Sequence, residues 1–520
     1  MRMVILGGEI AHRGLFGGKR NKPENIGLAT GVGLSMVLLF SLGVSNPVSV
    51  LIVLVVLGVT FALTTPTKWT GFRSLGGLLM ETWHSRERKK KGTAVFVPVK
   101  DRPQTALVKA SKSQRDEADE NGMITVPLTY RDTAPLMVGN VRFFAIDNPE
   151  GEMVIFRHSG QEEKPYYTAT VETMGVPSGL REEFQEDAGY IAHGQLLARL
   201  ARRQSLISGV QSLSRSVPID PADHVMWIAE NQSHTVPEVL VSSYGQLCDL
   251  VQSRAEQHRN YETFRIPETG ALLSRAQAYG AGDDGVGIAI YEEISSAMRH
   301  AEIRGSIKAF RPLGRNRMAA LLRHLQDPEF DIDDFTDTSL EDCWQHLDGA
   351  SVPRALVVNK KWYTRTGYVP ADAFSPEPIP VQALRMLIRG VQPPVIHTVS
   401  VIDKLEDART ARGKARVDFA QDKAKKIATE AKGTTTDGAE DVLLNASAQR
   451  REDLKNGTGH HGAAFGIYIT YQVDDPEKFL ATADLIEAAA ADAGIELIEW
   501  LDQRQDLSLI TTMPMTRGIR

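Results

Sequence analysis

The chain has 520 residues, and its 59 Lys and Arg against 65 Asp and Glu give a formal net charge of −6. That length exceeds one domain of about 100–200 residues. A mildly acidic balance with 42% apolar residues excludes both a disordered chain and a nucleic-acid-coating one. Two distant cysteines, Cys248 and Cys343, make no C-x-x-C pair, which excludes a disulfide-stapled or zinc-held domain and points to a reducing compartment.

Residues 1–25 form a basic N-terminus carrying Arg2, Arg13, Lys19, Arg20 and Lys22. From Asn25 to Thr67 no side chain is ionisable, and residues 26–44 and 48–65 each match the length a helix needs to cross a hydrocarbon core of about 30 Å. Asn46 and Pro47 between them reverse the chain, so residues 26–66 read as a two-helix transmembrane hairpin. Basic residues flank both ends, which puts both termini and the body on the cytoplasmic side of the cell (inner) membrane. A signal peptide is the competing reading, but it would have one short apolar core followed by a cleavage site, whereas a second, more apolar span follows here at once. Gly27, Gly31, Gly33 and Ser35 make a small-residue face against which another helix can pack, either the second helix or one from another molecule.

Residues 67–92 read as a basic juxtamembrane helix. Trp69 and Trp83 alternate with Arg73, Arg86, Arg88, Lys89, Lys90 and Lys91, the pattern of a helix lying along anionic lipid headgroups; an ordinary stop-transfer flank gives the same pattern. Residues 93–172 then read as a small β-rich subdomain, with strands at 123–130, 138–146 and 152–158 and a hairpin turn at Asp147-Asn148-Pro149-Glu150-Gly151. Pro127 makes the first of these an edge strand.

Residues 173–390 alternate helix and strand as an α/β body: helix at 180–203, strands at 205–217 and 225–230, helix at 237–259, a short strand at 264–267, and helices at 291–304 and 315–325. Residues 391–520 read as a ferredoxin-like unit, with strands at 395–402, 465–471, 495–501 and 507–513 and a helix at 476–494. A helical pair at 403–456, broken by Gly433 to Gly438 and carrying a sparse apolar stripe, projects from it as an arm. The expected fold class is therefore α+β, a hairpin and a β-rich piece leading into an α/β body.

Catalytic patterns are missing from the sequence. Gly18-Lys19-Arg20 and Gly413-Lys414-Ala415 lack the hydroxyl residue that a phosphate loop needs for magnesium. Asp331, Asp333, Asp334 and Asp337 lack the central Gly and terminal Glu of a calcium loop. His460-His461 has no third ligand at metal spacing, and Asp283-Asp284 among glycines reads as a turn or a mobile loop. Arg311, Arg315, Arg317 and Arg323 gather at a helix start, solvated or facing an acidic or phosphate partner. No cofactor, metal or catalytic residue is expected.

The order of a basic N-terminus, a hairpin and Arg73-Ser74-Leu75-Gly76 running into residues 86–92 resembles the PrgI-type small inner-membrane subunit of type IV secretion and conjugation machines. The remainder resembles the non-catalytic N-terminal domain of VirB-class secretion ATPases, down to a helix that leads through Gly494 to Met513-Pro514. The combination resembles a family of actinobacterial integral membrane proteins from conjugation-like gene clusters. That resemblance implies a non-enzymatic, homo-oligomeric scaffold whose partners are a separate secretion ATPase, other inner-membrane secretion subunits and anionic lipids, without sequence-specific nucleic-acid binding. A type VII secretion membrane subunit of the EccE type shares this plan, and a membrane-tethered enzyme using the Asp283 loop is a third reading.

Overall fold

A computed structural model describes residues 3–4, 22–42, 47–67, 73–103, 105–109, 123–127, 133–160, 164–175, 183–218, 227–228, 230–231, 235–252, 256–333, 338–370, 373–374, 379–380, 382–431, 439–456, 458 and 460–518. The fold is α+β, and its centre is one antiparallel sheet of 13 strands. In chain order these are β1 (Val95–Phe96), β2 (Val141–Asn148), β3 (Gly151–His158), β4 (Tyr166–Gly175), β5 (Gly209–Pro218), β6 (Glu256–Pro267) and β7 (Ile307–Pro312). They continue with β8 (Leu347–Asp348), β9 (Leu356–Val358), β10 (Trp362–Val369), β11 (Ile396–Glu406), β12 (Gly462–Val473) and β13 (Glu499–Trp500).

The spatial order is β1-β8-β9-β10-β12-β11-β5-β6-β4-β3-β2, with β7 added to β4 and β13 added to β10. Two halves follow one plan. In the first, strands β4, β5, β6 and β7 lie in the order β7-β4-β6-β5; in the second, β10, β11, β12 and β13 lie in the order β13-β10-β12-β11. Each half also begins with a hairpin partner on its first strand, β3 on β4 and β9 on β10. The halves join where β5 pairs antiparallel with β11, from Gly209 opposite Lys404 to Ser216 opposite His397.

Helices cover one face of each half. In the first, α4 (Glu183–Leu200) and α7 (Gly282–Ile303) pack on β3 to β6, with Ile290, Ile294 and Met298 fully buried at spacings of four. Each such side chain contributes about 1.5–3 kcal/mol by leaving water. In the second, α9 (Leu384–Arg389) and α12 (Phe479–Asp492) pack on β10 to β12, with Ile486 fully buried. The opposite face is covered by α8 (Arg315–Gln326) and by residues 509–515. Residues 507–513 were expected as a strand. They turn instead, because Thr511 and Thr512 donate to the carbonyls three residues back and Gln211 ties the chain down by donating to Met513 O at 2.9 Å and accepting from Thr516 N at 2.7 Å.

Other expectations are corrected. Of the strands expected in a separate β-rich subdomain, the two after residue 138 are β2 and β3 of the large sheet, whereas Met123–Pro127 pairs with Thr105–Lys109 in a two-stranded sheet of its own. Residues 227–228 and 230–231 are helical rather than extended. The helix expected at 237–259 is α5 (Glu238–Gln252) and gives way to the long strand β6. Helix α6 (Gly270–Gln277) starts at Thr269, whose hydroxyl accepts from Leu272 N. The helical pair is α10 (Ala408–Ala431) and α11 (Ala439–Asp453), so residues expected at its start belong to β11. Gly413-Lys414-Ala415 lie inside α10, where Lys414 pairs with Glu406.

Candidate membrane interface

Two helices precede the body, α1 (Lys22–Leu42) and α2 (Pro47–Thr64). Proline at the first position of α2 fits there because that residue's N–H has no partner in the helix. The helices run antiparallel: a Cβ on Gly27 would meet Thr64 Cγ2 at 3.4 Å, and one on Gly31 would collide with Thr60. Ser35, Ser49 and Val53 are buried in the same contact, whereas Val37, Phe40, Leu51 and Leu54 are exposed. Small and hydroxylated residues therefore face inward and large apolar ones outward. The hydroxyls cost nothing inside, since Ser35 donates to Gly31 O and Thr64 to Thr60 O, each at 2.8 Å.

Among the described residues one helix, Pro47–Thr64, is long and apolar enough to cross a membrane; the apolar part of α1, Ile26–Ser41, is shorter. Of the residues expected to pack in the hairpin, Gly27, Gly31 and Ser35 face α2 while Gly33 meets open space. Asn46 lies outside the described residues, and Pro47 begins α2.

Helix α3 (Leu75–Lys90) follows closely, capped by Ser74, whose hydroxyl accepts from Gly77 N at 3.1 Å. Its start touches the end of α2: a Cβ on Gly76 would stand 2.9 Å from Leu63 O. Leu75, Leu79, Met80 and Trp83 are exposed. The other side is fixed to the body. Arg88 donates to both carboxylate oxygens of Asp506, at 2.7 and 3.0 Å, and to Gln503 O at 3.0 Å; Lys89 donates to Ala350 O at 2.8 Å. Arg504 reaches back to Glu81 at 3.2 Å, and Ser85 of α3 is buried. The room for this is made by Gly349, where a Cβ would stand 2.6 Å from Asp506 Cβ.

Arg88 and Lys89, expected against lipid, are thus body contacts. Arg86 and Lys90 are exposed, and Lys91 is exposed beside Glu87 at 2.6 Å. Trp69 lies outside the described residues, and of Arg73 only the backbone is described, paired opposite Thr67. Composition showed the basic run but not which cations were committed to the body, because Asp506 is more than 400 positions away.

Elsewhere the charged motifs are absorbed internally. Asp283 and Asp284 sit in the first turn of α7 rather than in a loop, favourably placed at a helix N-terminus, and Arg142 pairs with Asp283 at 3.1 Å. Their neighbouring glycines serve packing, since a Cβ on Gly287 would stand 2.5 Å from Ile146 Cγ2. Arg311 and Arg317 converge on Glu172, Arg317 also reaches Asp333 at 3.3 Å, Arg315 pairs with Glu152 at 3.2 Å, and Arg323 stacks on Phe330. The Arg311 and Arg317 guanidiniums hold the Glu172 carboxyl below its ordinary range despite burial. Asp334 and Asp337 lie outside the described residues. No group of three His, Cys, Asp or Glu among the described residues is placed to hold a metal ion.

At the join of the halves, on the helix-bearing face, a cleft of about 370 Å³ opens between α4 and α9 over the sheet, lined by Tyr190, His193, Ser212, Glu262 and Arg385. Ser212 donates to Glu262, whose carboxyl burial pushes up to about 8. On the other face Arg215 is buried without a carboxylate, donating to Thr398 Oγ1 at 3.0 Å, and burial lowers it to about 9. No model of a known protein family matches the chain, and no curated protein matches it either.

Proposed function

We propose that this chain is a two-pass membrane anchor whose cytoplasmic body acts as a non-catalytic docking scaffold of a type IV secretion-like, conjugative DNA-transfer apparatus, beside a separate ATPase. The observation that carries the membrane part is the inverted packing of α1 and α2, with Gly31, Ser35 and Ser49 inside and Phe40, Leu51 and Leu54 outside. Water drives apolar side chains inward. Lipid removes that drive and leaves close backbone contact and internal hydroxyl bonding to hold helices together, which is the pattern of this pair. The 21 residues of α1 reach about 31 Å at about 1.5 Å per residue, enough to pass with its first charged turn among headgroups.

The apparatus part rests on the resemblance in element order. Support for the ferredoxin-like reading comes from the two strand orders, β7-β4-β6-β5 and β13-β10-β12-β11, each the 4-1-3-2 order of a βαββαβ unit. The helical pair α10–α11 is an insertion between the second and third strands of the second unit. The test is affinity purification of the full chain in mild detergent, with deletion of its gene in parallel. Co-purification of a secretion ATPase and loss of DNA transfer are expected; recovery of no ATPase together with unchanged transfer contradicts the reading. Small secreted WxG-type helical hairpin proteins in the eluate point to the type VII alternative.

A further inference from the structure

We propose that α3 lies in the interfacial layer of the bilayer as a two-faced strut, with its Leu75, Leu79 and Trp83 side in lipid and its Arg88 side holding the body against the membrane. The inference rests on the reading of α1 and α2 as membrane helices and adds what sets the orientation of everything after them.

At about 100° per residue, Leu75, Leu79, Trp83, Arg86 and Lys90 fall within about 80° of one another around α3. Glu81, Ser85, Arg88 and Lys89 occupy an opposed sector of about 100°. The structure respects that division: the first set is exposed, and every member of the second is buried or bonded to the body. Along the exposed stripe the first turns are apolar and the last carry Arg86 and Lys90. An interfacial helix has this composition, its apolar side chains reaching the acyl boundary and its cations the phosphate layer.

Lipid is the occupant because the stripe continues the surface of the hairpin. The chain passes from α2 to α3 through a link whose ends pair, Pro66–Thr67 against Arg73–Ser74, and Gly76 abuts Leu63 O. The apolar stripe thus begins where the apolar exterior of α2 ends. A stripe left in water would expose three large apolar side chains on three turns beside a bilayer edge. The clamp then decides which part of the body faces the membrane. Arg88, Lys89 and Glu81 grip residues 350 and 503–506, near the edge formed by β1, β8 and β9, so that edge is membrane-proximal.

The test uses the full chain in lipid nanodiscs of phosphatidylcholine and phosphatidylglycerol, with Cys248→Ser and the buried Cys343→Ala. Single cysteines at Leu79→Cys, Leu54→Cys in α2 and Ile303→Cys on the body each carry an NBD fluorophore, and acyl-brominated lipid is the quencher. At least two-fold quenching at 54 and 79 and none at 303 is expected. Quenching at 54 with position 79 behaving like 303 overturns the strut while the hairpin stands. An unquenched 54 overturns the hairpin reading itself, and the strut with it. A position 79 shielded from aqueous iodide yet unquenched by brominated lipid means that protein covers the stripe, which also overturns the proposal. Arg88→Ala tests the clamp: position 79 stays quenched, and the distribution of energy-transfer distances from 303 to a bilayer dye broadens at least two-fold. An unchanged width contradicts the clamp.

Discussion

The hairpin and the body of this chain obey opposite packing rules. Inside the body, Ile290, Leu213 and Tyr471 are buried and the surface is charged. Inside the hairpin, glycine and serine are buried and the surface is Val, Leu, Phe and Met. The same chemistry of side chains gives both, and on the proposed membrane placement of the hairpin the difference lies in the solvent. Water rewards burying large apolar groups. Lipid rewards close backbone approach, which only small residues allow.

Substitutions at equally buried sites sharpen that contrast most. Ile290→Ala in α7 is expected to cost about 2–5 kcal/mol, because it leaves a cavity in a fully packed core. Ser35→Ala, equally buried in α1, is expected to cost under about 1 kcal/mol, since its hydroxyl bonds only its own helix. Thermal or denaturant unfolding in nanodiscs reads both. Equal costs at the two sites break the distinction.

Equally exposed sites come next. Leu54→Arg on α2 adds about 2.5–3.5 kcal/mol to membrane insertion and lowers the membrane-bound fraction. Ile303→Arg, exposed at the end of α7, changes stability by no more than about 0.5 kcal/mol. A Leu54→Arg chain that fractionates like wild type contradicts the lipid-facing surface.

The smallest expected effect concerns the polar join of the body. The carboxyl of Glu262 stays protonated in the folded chain up to about pH 8, whereas an ordinary glutamate ionises near 4.5. Its contribution to stability is therefore fully present below about 4.5 and is lost as pH rises through 8. His258 and His324, depressed to about 4 and about 3, stay neutral in the folded chain between about pH 6.5 and 8.5 while the unfolded chain sheds their protons, so they raise stability with pH equally in wild type and variant. Glu262 itself is expected to cost about 1–2 kcal/mol across that window, read as the extra loss of the wild type over Glu262→Gln. Parallel melting curves for the two proteins contradict the assignment.

How much of this was legible follows the range of the interactions. The hairpin needed only the run without charge from Asn25 to Thr67 and Pro47 within it, all local. Helix α8 and the hairpin of β2 and β3 were likewise visible in their periodicity and turn residues. Strands β8 and β9 were missed because two or three residues carry no period, and their existence depends on β1 and β10 beside them. The C-terminal strand failed for a similar reason: Leu509, Ile510 and Met513 are apolar enough for either structure, and the choice falls to Gln211, some 300 positions earlier. The glycines around Asp283 read as flexibility and serve close packing, which only the position of Ile146 reveals. In the candidate interface, the sequence marked α3 as basic and aromatic but not that Arg88 and Lys89 turn toward Asp506 and Ala350 of the body.

The anchoring of the chain is tested most directly by alkaline carbonate extraction of membranes containing the full protein. Retention in the membrane pellet at about pH 11 is predicted, because the proposed placement has lipid solvating the outward side chains of α1 and α2 with no ion pair needed to hold them. Release of the full chain into the supernatant contradicts it.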